Sequence, residues 1–229
     1  MAAAVIAALL VCGGCATTPK PDRLAVRTMI HEISNANPYH ATMKMSGRAE
    51  ILTDGVWVKS KAALIVSRPD SMRVTLFEPT GTAWFVGIAN AQYLGFAVPA
   101  ENVYKVLRKG KGVNIRIGRL KFQPDDFLRF IQPGLELEWL EKSHVTITQS
   151  GLRVVRKYIV YNLELDGRQR LKSVLIKRPD IGPVRYSYEY LESGGYTVEM
   201  DGKIRFEITR MVKNAHLPDS LFDPRLLRM

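Results

Sequence analysis

The stretch that decides the fold is Thr42–Ser67, which reads TMKMSGRAEILTDGVWVKSKAALIVS. In its first half, apolar or small residues alternate with polar ones. The apolar or small residues are Met43, Met45, Gly47, Ala49 and Ile51, and the alternation places them on one face. A period of two predicts a β-strand with one buried face. Asp54-Gly55 between two such runs is a strong hairpin signal. The sequence therefore predicts two long antiparallel strands joined by a tight turn.

The segments on either side extend this hairpin into a larger sheet. A helix is predicted ahead of it, opening at Asp22 and ended by Asn35–Pro38, because apolar residues recur at helical spacing in Val26, Met29, Ile30 and Ile33. After the hairpin, short turns separate further predicted strands at Met72–Leu76, Thr82–Ala89, Tyr93–Val98 and Asn102–Leu107. Strands that follow one another through short turns are typical of an antiparallel meander.

The middle of the chain interrupts the strands before a second series begins. Arg108–Gly112 is a basic, glycine-containing loop. Pro124-Asp125-Asp126 precedes a short helix over Phe127–Ile131, since proline and acidic residues suit a helix N-terminus. Seven further strands are then predicted, at Leu135–Leu140, Val145–Thr148, Val154–Leu165, Leu171–Lys177, Val184–Tyr190, Tyr196–Met200 and Ile204–Thr209. The tail Leu217–Met229 is predicted to be a loop. Strands in this number predict a sheet that curls or closes to protect its edges.

The first residues form a separate unit. Ala2–Cys12 is apolar but about half the length that spans a bilayer, which is typical of a secretory signal, although no basic residue precedes it. Gly13-Gly14-Cys15 resembles the lipobox of bacterial lipoproteins, which implies that Cys15 is acylated and becomes the mature N-terminus. We therefore expect a signal peptide over residues 1–14, a lipidated tether over 15–21 and a folded domain over 22–229. An ordinary signal with incidental cysteines is the alternative.

Composition and charge narrow the class of protein. The chain of 229 residues has a net charge of +11 and is 46% hydrophobic, so it can bury a core. Once Cys12 is removed and Cys15 acylated, the domain has no cysteine for a disulfide. A basic stretch contains Lys105, Arg108, Lys109, Lys111, Arg116, Arg119 and Lys121. We expect its first four members to face an anionic bilayer surface, a solvated loop being the alternative, and export argues against a nucleic-acid partner.

Signatures of catalysis are missing from the sequence. The four histidines are scattered without metal-ligand spacing, and the sequence has no nucleophile elbow and no phosphate-binding loop. The adjacent carboxylates Asp125 and Asp126 are better explained by the start of a helix. We expect a protein that is not an enzyme and that uses no cofactor or metal.

The order of elements resembles the LolA/LolB-like family of bacterial outer-membrane lipoproteins and soluble carriers. The resemblance rests on the lipobox Cys15, the N-terminal helix, the mid-chain Pro-Asp-Asp helix and three local stretches: Arg68–Arg73, Glu78–Thr82 and Leu217–Phe222. It implies a mainly β fold, an open antiparallel β-barrel of about eleven strands with the N-terminal and mid-chain helices on the concave side. It also implies a hydrophobic cavity that receives acyl chains. Ala16, which is not Asp, implies the periplasmic face of the outer membrane.

The inward faces of the predicted strands supply a candidate cavity lining. Its members are Met43, Met45, Met72, Val74, Leu76, Trp84, Val86, Tyr186, Tyr188, Phe206 and Ile208. Flexible methionines and broad aromatics suit an adaptable apolar pocket, while a closed core filled by these same side chains is the alternative.

Two hypotheses about function are open. In the first, the barrel binds acyl chains or lipoproteins at the outer membrane as a monomer, with a soluble periplasmic carrier as a further partner. In the second, the half-barrel is a docking scaffold in an envelope complex. Thr80 stands in the turn where the family carries an exposed apolar residue, which puts lipoprotein insertion in doubt more than lipid binding.

Overall fold

The computed structural model describes residues 23–109, 113–117 and 120–228. The helices are α1 (Arg23–Ala36), α2 (Pro124–Phe130) and α3 (Leu137–Glu141), with short 3₁₀ turns at Pro99–Glu101, Asp219–Phe222 and Pro224–Arg228. The strands are β1 (Thr42–Thr53), β2 (Val56–Ser67), β3 (Ser71–Phe77), β4 (Ala83–Ala89), β5 (Tyr93–Val98), β6 (Val103–Arg108), β7 (Ile115–Ile117), β8 (Leu120–Phe122), β9 (His144–Thr148), β10 (Gly151–Arg156), β11 (Ile159–Leu165), β12 (Leu171–Lys177), β13 (Val184–Tyr190), β14 (Tyr196–Met200) and β15 (Ile204–Lys213). No helix in these ranges is both long enough and apolar enough to span a bilayer.

One antiparallel sheet of thirteen strands forms the frame, in the order β6-β5-β4-β3-β2-β1-β15-β14-β13-β12-β11-β10-β9. Within this sheet all adjacent strands are consecutive in sequence except β1 and β15, and this pair joins the two meanders. Strands β7 and β8 pair with each other in a separate hairpin. Within the described ranges, β6 and β9 each have a hydrogen-bonded neighbour on one side only. The predicted fold class, an open antiparallel barrel with helices on the concave side, is confirmed.

Two local predictions were wrong. Leu135–Leu140 was expected to be a strand but ends in α3, because the adjacent residues Trp139 and Leu140 are both buried, as in a helix that packs one face on a core. Val154–Leu165 was expected to be one strand and is two. Lys157, in the left-handed region at φ 56°, turns the chain between β10 and β11.

The main core lies between the concave face of the sheet and the helices. Ile30 and Ile33 of α1 pack there, as do Phe127, Leu128 and Phe130 of α2. A second, smaller cluster lies on the opposite face, where Phe222 of the C-terminal tail contacts the group of Val86 and Ile88. The tail predicted as a loop therefore covers the outer face of β4 and its neighbours.

Candidate functional site

Helix α2 is fixed over the concave face by tertiary hydrogen bonds at its C-terminal end. Arg68 Nη2 donates to the carbonyl oxygen of Arg129 at 2.9 Å. Tyr188 OH donates to Phe130 O at 2.6 Å, and Tyr196 OH donates to Ile131 O at 3.1 Å. The last carbonyls of a helix have no partner within it, so donors from β13, β14 and the end of β2 take that role here.

The N-terminal end of α2 is fixed by a buried ion pair. Asp126 accepts two hydrogen bonds of 2.8 Å from Arg178, which follows β12. Burial raises the pKa of the Asp126 carboxyl, although the Arg178 guanidinium opposes the shift. The N-terminal end of α2 is thus attached to the end of β12, and its C-terminal end to β13, β14 and the end of β2.

Between α2 and the first meander lies an apolar cavity of about 370 Å³. Its walls come from β1, β3, β4, β5, β6, β15, the β7–β8 hairpin and α2. They comprise Ile51, Met72, Val74, Leu76, Phe85, Gly87, Ile88, Leu94, Gly95, Phe96, Leu107, Asn114, Ile115, Arg116, Phe122, Phe127, Ile204 and Phe206. Among the described residues that line it, only Asn114 and Arg116 are polar. The volume falls within the roughly 300–1,000 Å³ of small-molecule sites, and the lining suits an aliphatic ligand.

Aromatic rings shape the cavity on two sides. Phe85 and Phe96 stack with their ring centroids 6.5 Å apart on the sheet side. Phe127 of α2 lies between Phe122 at 5.7 Å and Phe206 at 5.9 Å. Gly87 of β4 has no side chain, and this leaves room beside the Phe85 ring, because a Cβ atom at Gly87 would lie only 3.2 Å from that ring.

The eleven predicted lining residues divide into three groups. Four line the cavity: Met72, Val74, Leu76 and Phe206. Six others lie in or against the main core, namely Met43, Met45, Tyr186, Tyr188 and Ile208, all buried, and the half-buried Trp84. Tyr188 and Met45 contact, respectively, the end of α2 and the hydroxyl of Tyr196, so these positions are filled by protein.

Val86 belongs to neither group, and its predicted inward orientation was wrong. Phe77 pairs with Ala83 and Leu76 with Phe85, so Trp84 is an extra residue without a partner, which is a β-bulge. The bulge lets Trp84 and Phe85 both pack against the main core, and the alternation resumes one position later. Val86 consequently faces outward, where it contacts the tail cluster.

The predicted basic loop is only partly available to a membrane. Lys105 and Arg108 are exposed. The side chain of Lys109 is only 12% exposed and forms an ion pair with Asp125, so it ties the loop to α2 instead of facing a bilayer. Lys111 lies outside the described residues, as do Cys15, the signal peptide and the tether.

A second cleft, of about 990 Å³, lies on the far side of α2. Charged groups line it, among them Arg129, Arg156, Lys157 and Asp180. It is larger than the apolar cavity, but its lining does not suit an acyl chain. The lining of the smaller cavity is apolar and does suit an aliphatic ligand, so we place the candidate site there.

Several cavity residues were not predicted from the sequence. Phe122 and Phe127 flank the start of α2, and Leu94, Phe96 and Leu107 lie on β5 and β6. The alternation in Tyr93–Leu107 carried the signal for the last three, because residues opposite one another share a face. The contribution of α2 depends on tertiary placement, which periodicity does not give.

Comparisons with known proteins agree with this geometry at the level of fold. No protein-family model matches the chain, and no curated protein matches its sequence. A LolA superfamily protein from Nitrosomonas europaea superposes with a TM-score of 0.52 at 10% identity, over 86% of this chain and 96% of that one.

Two further solved structures are similar in extent. A Vibrio parahaemolyticus domain assigned to outer membrane lipoprotein sorting gives a TM-score of 0.49 at 11% identity, over 89% of this chain and 98% of that one. A DUF1329 family protein from Desulfovibrio piger gives 0.46 at 13% identity, with the same coverage of 89% and 98%. The likeness to the Nitrosomonas protein and the open thirteen-stranded sheet together give the assignment: the chain has a LolA/LolB-like fold.

Proposed function

We propose that the chain binds acyl chains in its apolar cavity as a non-catalytic protein of the bacterial envelope. In this proposal Cys15 anchors it to the periplasmic face of the outer membrane, where it handles lipoproteins. The single observation that carries the proposal is the cavity of about 370 Å³, whose described lining is apolar except for Asn114 and Arg116.

The energetics favour a ligand for this space. An unfilled apolar cavity forfeits dispersion contacts along its lining and costs stability. Each methylene moved from water into such a site contributes about 0.8 kcal/mol, so about ten of them give roughly 8 kcal/mol, which corresponds to micromolar affinity before ordering costs.

The experiment is a titration of the purified chain with a fluorescent fatty-acid analogue at micromolar concentration. We expect saturable binding that an acylated peptide displaces and the unacylated peptide does not. An absence of binding at micromolar concentration would contradict the proposal. In that case a stable complex with one envelope partner would favour the docking-scaffold hypothesis.

The anchor has its own test, because it falls outside the described residues. Mass spectrometry of the chain expressed in a bacterium and recovered from the envelope should find Cys15 as the acylated N-terminus. Two or more acyl chains hold a protein stably on a bilayer, whereas one does so marginally. A mature chain that begins elsewhere and carries no acyl group would contradict the anchoring.

A further inference from the structure

The turn between β1 and β2 carries apolar side chains in water. All residues from Thr53 to Lys59, which we call the β1–β2 ribbon, are exposed. Val56 is 65% exposed, and Trp57 and Val58 are each 41% exposed. Three consecutive exposed apolar residues are an unusual feature of a strand and mark an interaction surface.

The ribbon protrudes well beyond β3 on one side and by the turn alone beyond β15 on the other. On one side β3 pairs with β2 only from Lys61 onward, so Val56–Ser60 extend past it by about 16 Å at roughly 3.3 Å per residue. On the other side Ile51 pairs with Ile204, the first residue of β15, and Leu52 N donates to the oxygen of the preceding residue, Lys203, at 2.8 Å, so only residues 53–56 extend past that strand. Val56 therefore lies at the tip of the projection, and Trp57 and Val58 lie just behind it on the edge that β3 leaves uncovered.

The base of the ribbon is firmly attached. Ser60 is buried, and its Oγ accepts hydrogen bonds from Phe77 N at 3.0 Å and from Trp84 Nε1 at 3.1 Å. The projection thus begins abruptly at Lys59, above an anchored residue, and its exposed side chains are held in place.

The ribbon is also continuous with the cavity. Val58 pairs directly with Ile51, so both side chains lie on the same face of the sheet. Ile51 and its other neighbour, Ile204, line the cavity. An apolar surface therefore runs from Val56 and Val58 to the cavity wall, while Trp57 lies on the opposite face of the ribbon.

We propose that the β1–β2 ribbon is a membrane-contact surface, whose Val56, Trp57 and Val58 enter the interfacial layer of a lipid bilayer beside the cavity. The proposal deepens the proposed function, on which it rests, because it names the surface from which lipid would reach the cavity. Tryptophan suits this layer, since its ring is apolar and its N–H polar. Lys59 lies directly behind the tip, where its side chain is 73% exposed and its Nζ lies 3.1 Å from a carboxylate oxygen of Glu50. The net charge of +11 favours an anionic bilayer.

A bilayer fits the ribbon better than a protein partner does. A specific protein interface buries about 800 Å² on each side, far more than three side chains at a tip present. A lipid surface needs no complementary shape, so a narrow apolar projection suffices. The turn that contains Thr80, where the family that this chain resembles carries an exposed apolar residue, is exposed but polar.

The test uses tryptophan fluorescence, because the three tryptophans occupy different environments. Trp139 is 3% exposed and Trp84 is half-buried with its Nε1 bonded to Ser60, so Trp57 is the one among them that a lipid can reach. The full chain is mixed with vesicles of phosphatidylethanolamine and phosphatidylglycerol whose acyl chains are brominated. We expect quenching in the wild type and in Val212→Ser, and loss of quenching in Trp57→Phe.

Binding to the same vesicles is measured by flotation. Trp57→Ser and Val58→Ser should each weaken binding, the former by about ten-fold given the size of a buried aromatic. The controls are Tyr158→Ser, 68% exposed in the β10–β11 turn, and Val212→Ser, 58% exposed on β15, which should bind as the wild type does.

Three outcomes would overturn the inference: unquenched Trp57, equal losses in the control variants, or a dimer in solution that Trp57→Ser dissociates. Fatty-acid binding without vesicles separates this failure from that of the proposed function. If the wild type binds the fatty acid but Trp57 is not quenched, only the ribbon inference fails. If Trp57 is quenched but no fatty acid binds, the proposed function fails and the membrane-contact surface stands.

Discussion

The Arg178 guanidinium donates from Nε and Nη2 to the two carboxylate oxygens of Asp126, both at 2.8 Å, with the side chains 8% and 6% exposed. This pair joins the first turn of α2 to the end of β12. Because α2 also carries Phe127, a cavity residue, the pair helps to define the wall of the candidate site.

Removing one member of this pair should destabilise the fold strongly. Asp126→Asn leaves a buried guanidinium without its countercharge, and such a change costs about 3–5 kcal/mol. The measurement is the free energy of unfolding in urea. The matched control is Asp125→Asn, because Asp125 is 61% exposed and its ion pair with Lys109 should contribute less than about 1 kcal/mol. Equal decreases in the free energy of unfolding of the two variants would show that burial of the ion pair does not determine the size of the effect.

The same pair predicts a pH dependence. Burial raises the pKa of Asp126 and Arg178 opposes this, so Arg178→Met should raise that pKa further. A carboxyl whose pKa is raised in the folded state favours folding at low pH, and that contribution is lost as pH rises through the raised pKa. The stability deficit of Arg178→Met relative to the wild type should therefore be largest at pH 7 and shrink toward pH 4, where even an unfolded Asp (pKa about 3.9) begins to protonate. A deficit independent of pH would assign the loss to packing alone.

The hydroxyl of Tyr188 supplies another test of how α2 is held. Tyr188→Phe removes the donor to Phe130 O and leaves a buried carbonyl without it, which costs about 1–3 kcal/mol. Tyr158→Phe, at an exposed position, should be neutral. Thermal unfolding of both variants checks this, and an unchanged melting temperature for Tyr188→Phe would show that water replaces the hydroxyl.

Filling the cavity should weaken ligand binding without unfolding the protein. Gly87 has an ordinary backbone conformation, and a side chain there would point at the Phe85 ring inside the cavity. Gly87→Leu should therefore weaken fatty-acid binding by at least about ten-fold, since a branched side chain takes the volume of several methylenes. The control is Gly182→Leu, because a Cβ atom at Gly182 meets nothing within 4 Å. Equal affinities in the two variants would place the ligand elsewhere.

The sequence predicted the parts of the fold that depend on local pattern. Asp54-Gly55 gave the β1–β2 hairpin, and the period-two alternation located most strands. The bulge at Trp84 was not predictable, because an extra residue leaves the apolar pattern of β4 unchanged while it reverses the faces of Val86 and its neighbours. The segment Leu135–Leu140 was predicted as a strand because apolar residues and glutamates alternate in its first part. So short a run fits the strand period of 2 and the helix period of 3.6 equally well.

The candidate site was harder to predict than the fold. Met72, Val74 and Leu76 came from one strand, and their alternation was enough to locate them. Phe127 reaches the cavity because hydrogen bonds and the Asp126–Arg178 pair position α2, and these contacts join residues far apart in sequence. Phe122, on β8, packs against Phe127. The sequence shows three successive apolar residues after the turn, at Val56, Trp57 and Val58. Only the structure shows that they are exposed and therefore form a surface and not part of the core.

The most direct test of acyl-chain binding uses the methionine methyl groups as probes. Met72 lines the cavity, whereas Met43, Met45 and Met200 are buried in the main core and Met211 lies on β15 away from the lining. A fatty acid with a spin label on its acyl chain is added to the chain carrying ¹³C-methyl methionine, and the methyl resonances are followed by NMR. We predict that the Met72 resonance broadens first and most, and that Gly87→Leu removes this effect. Uniform broadening, or broadening strongest at Met211, would contradict acyl-chain binding in the cavity.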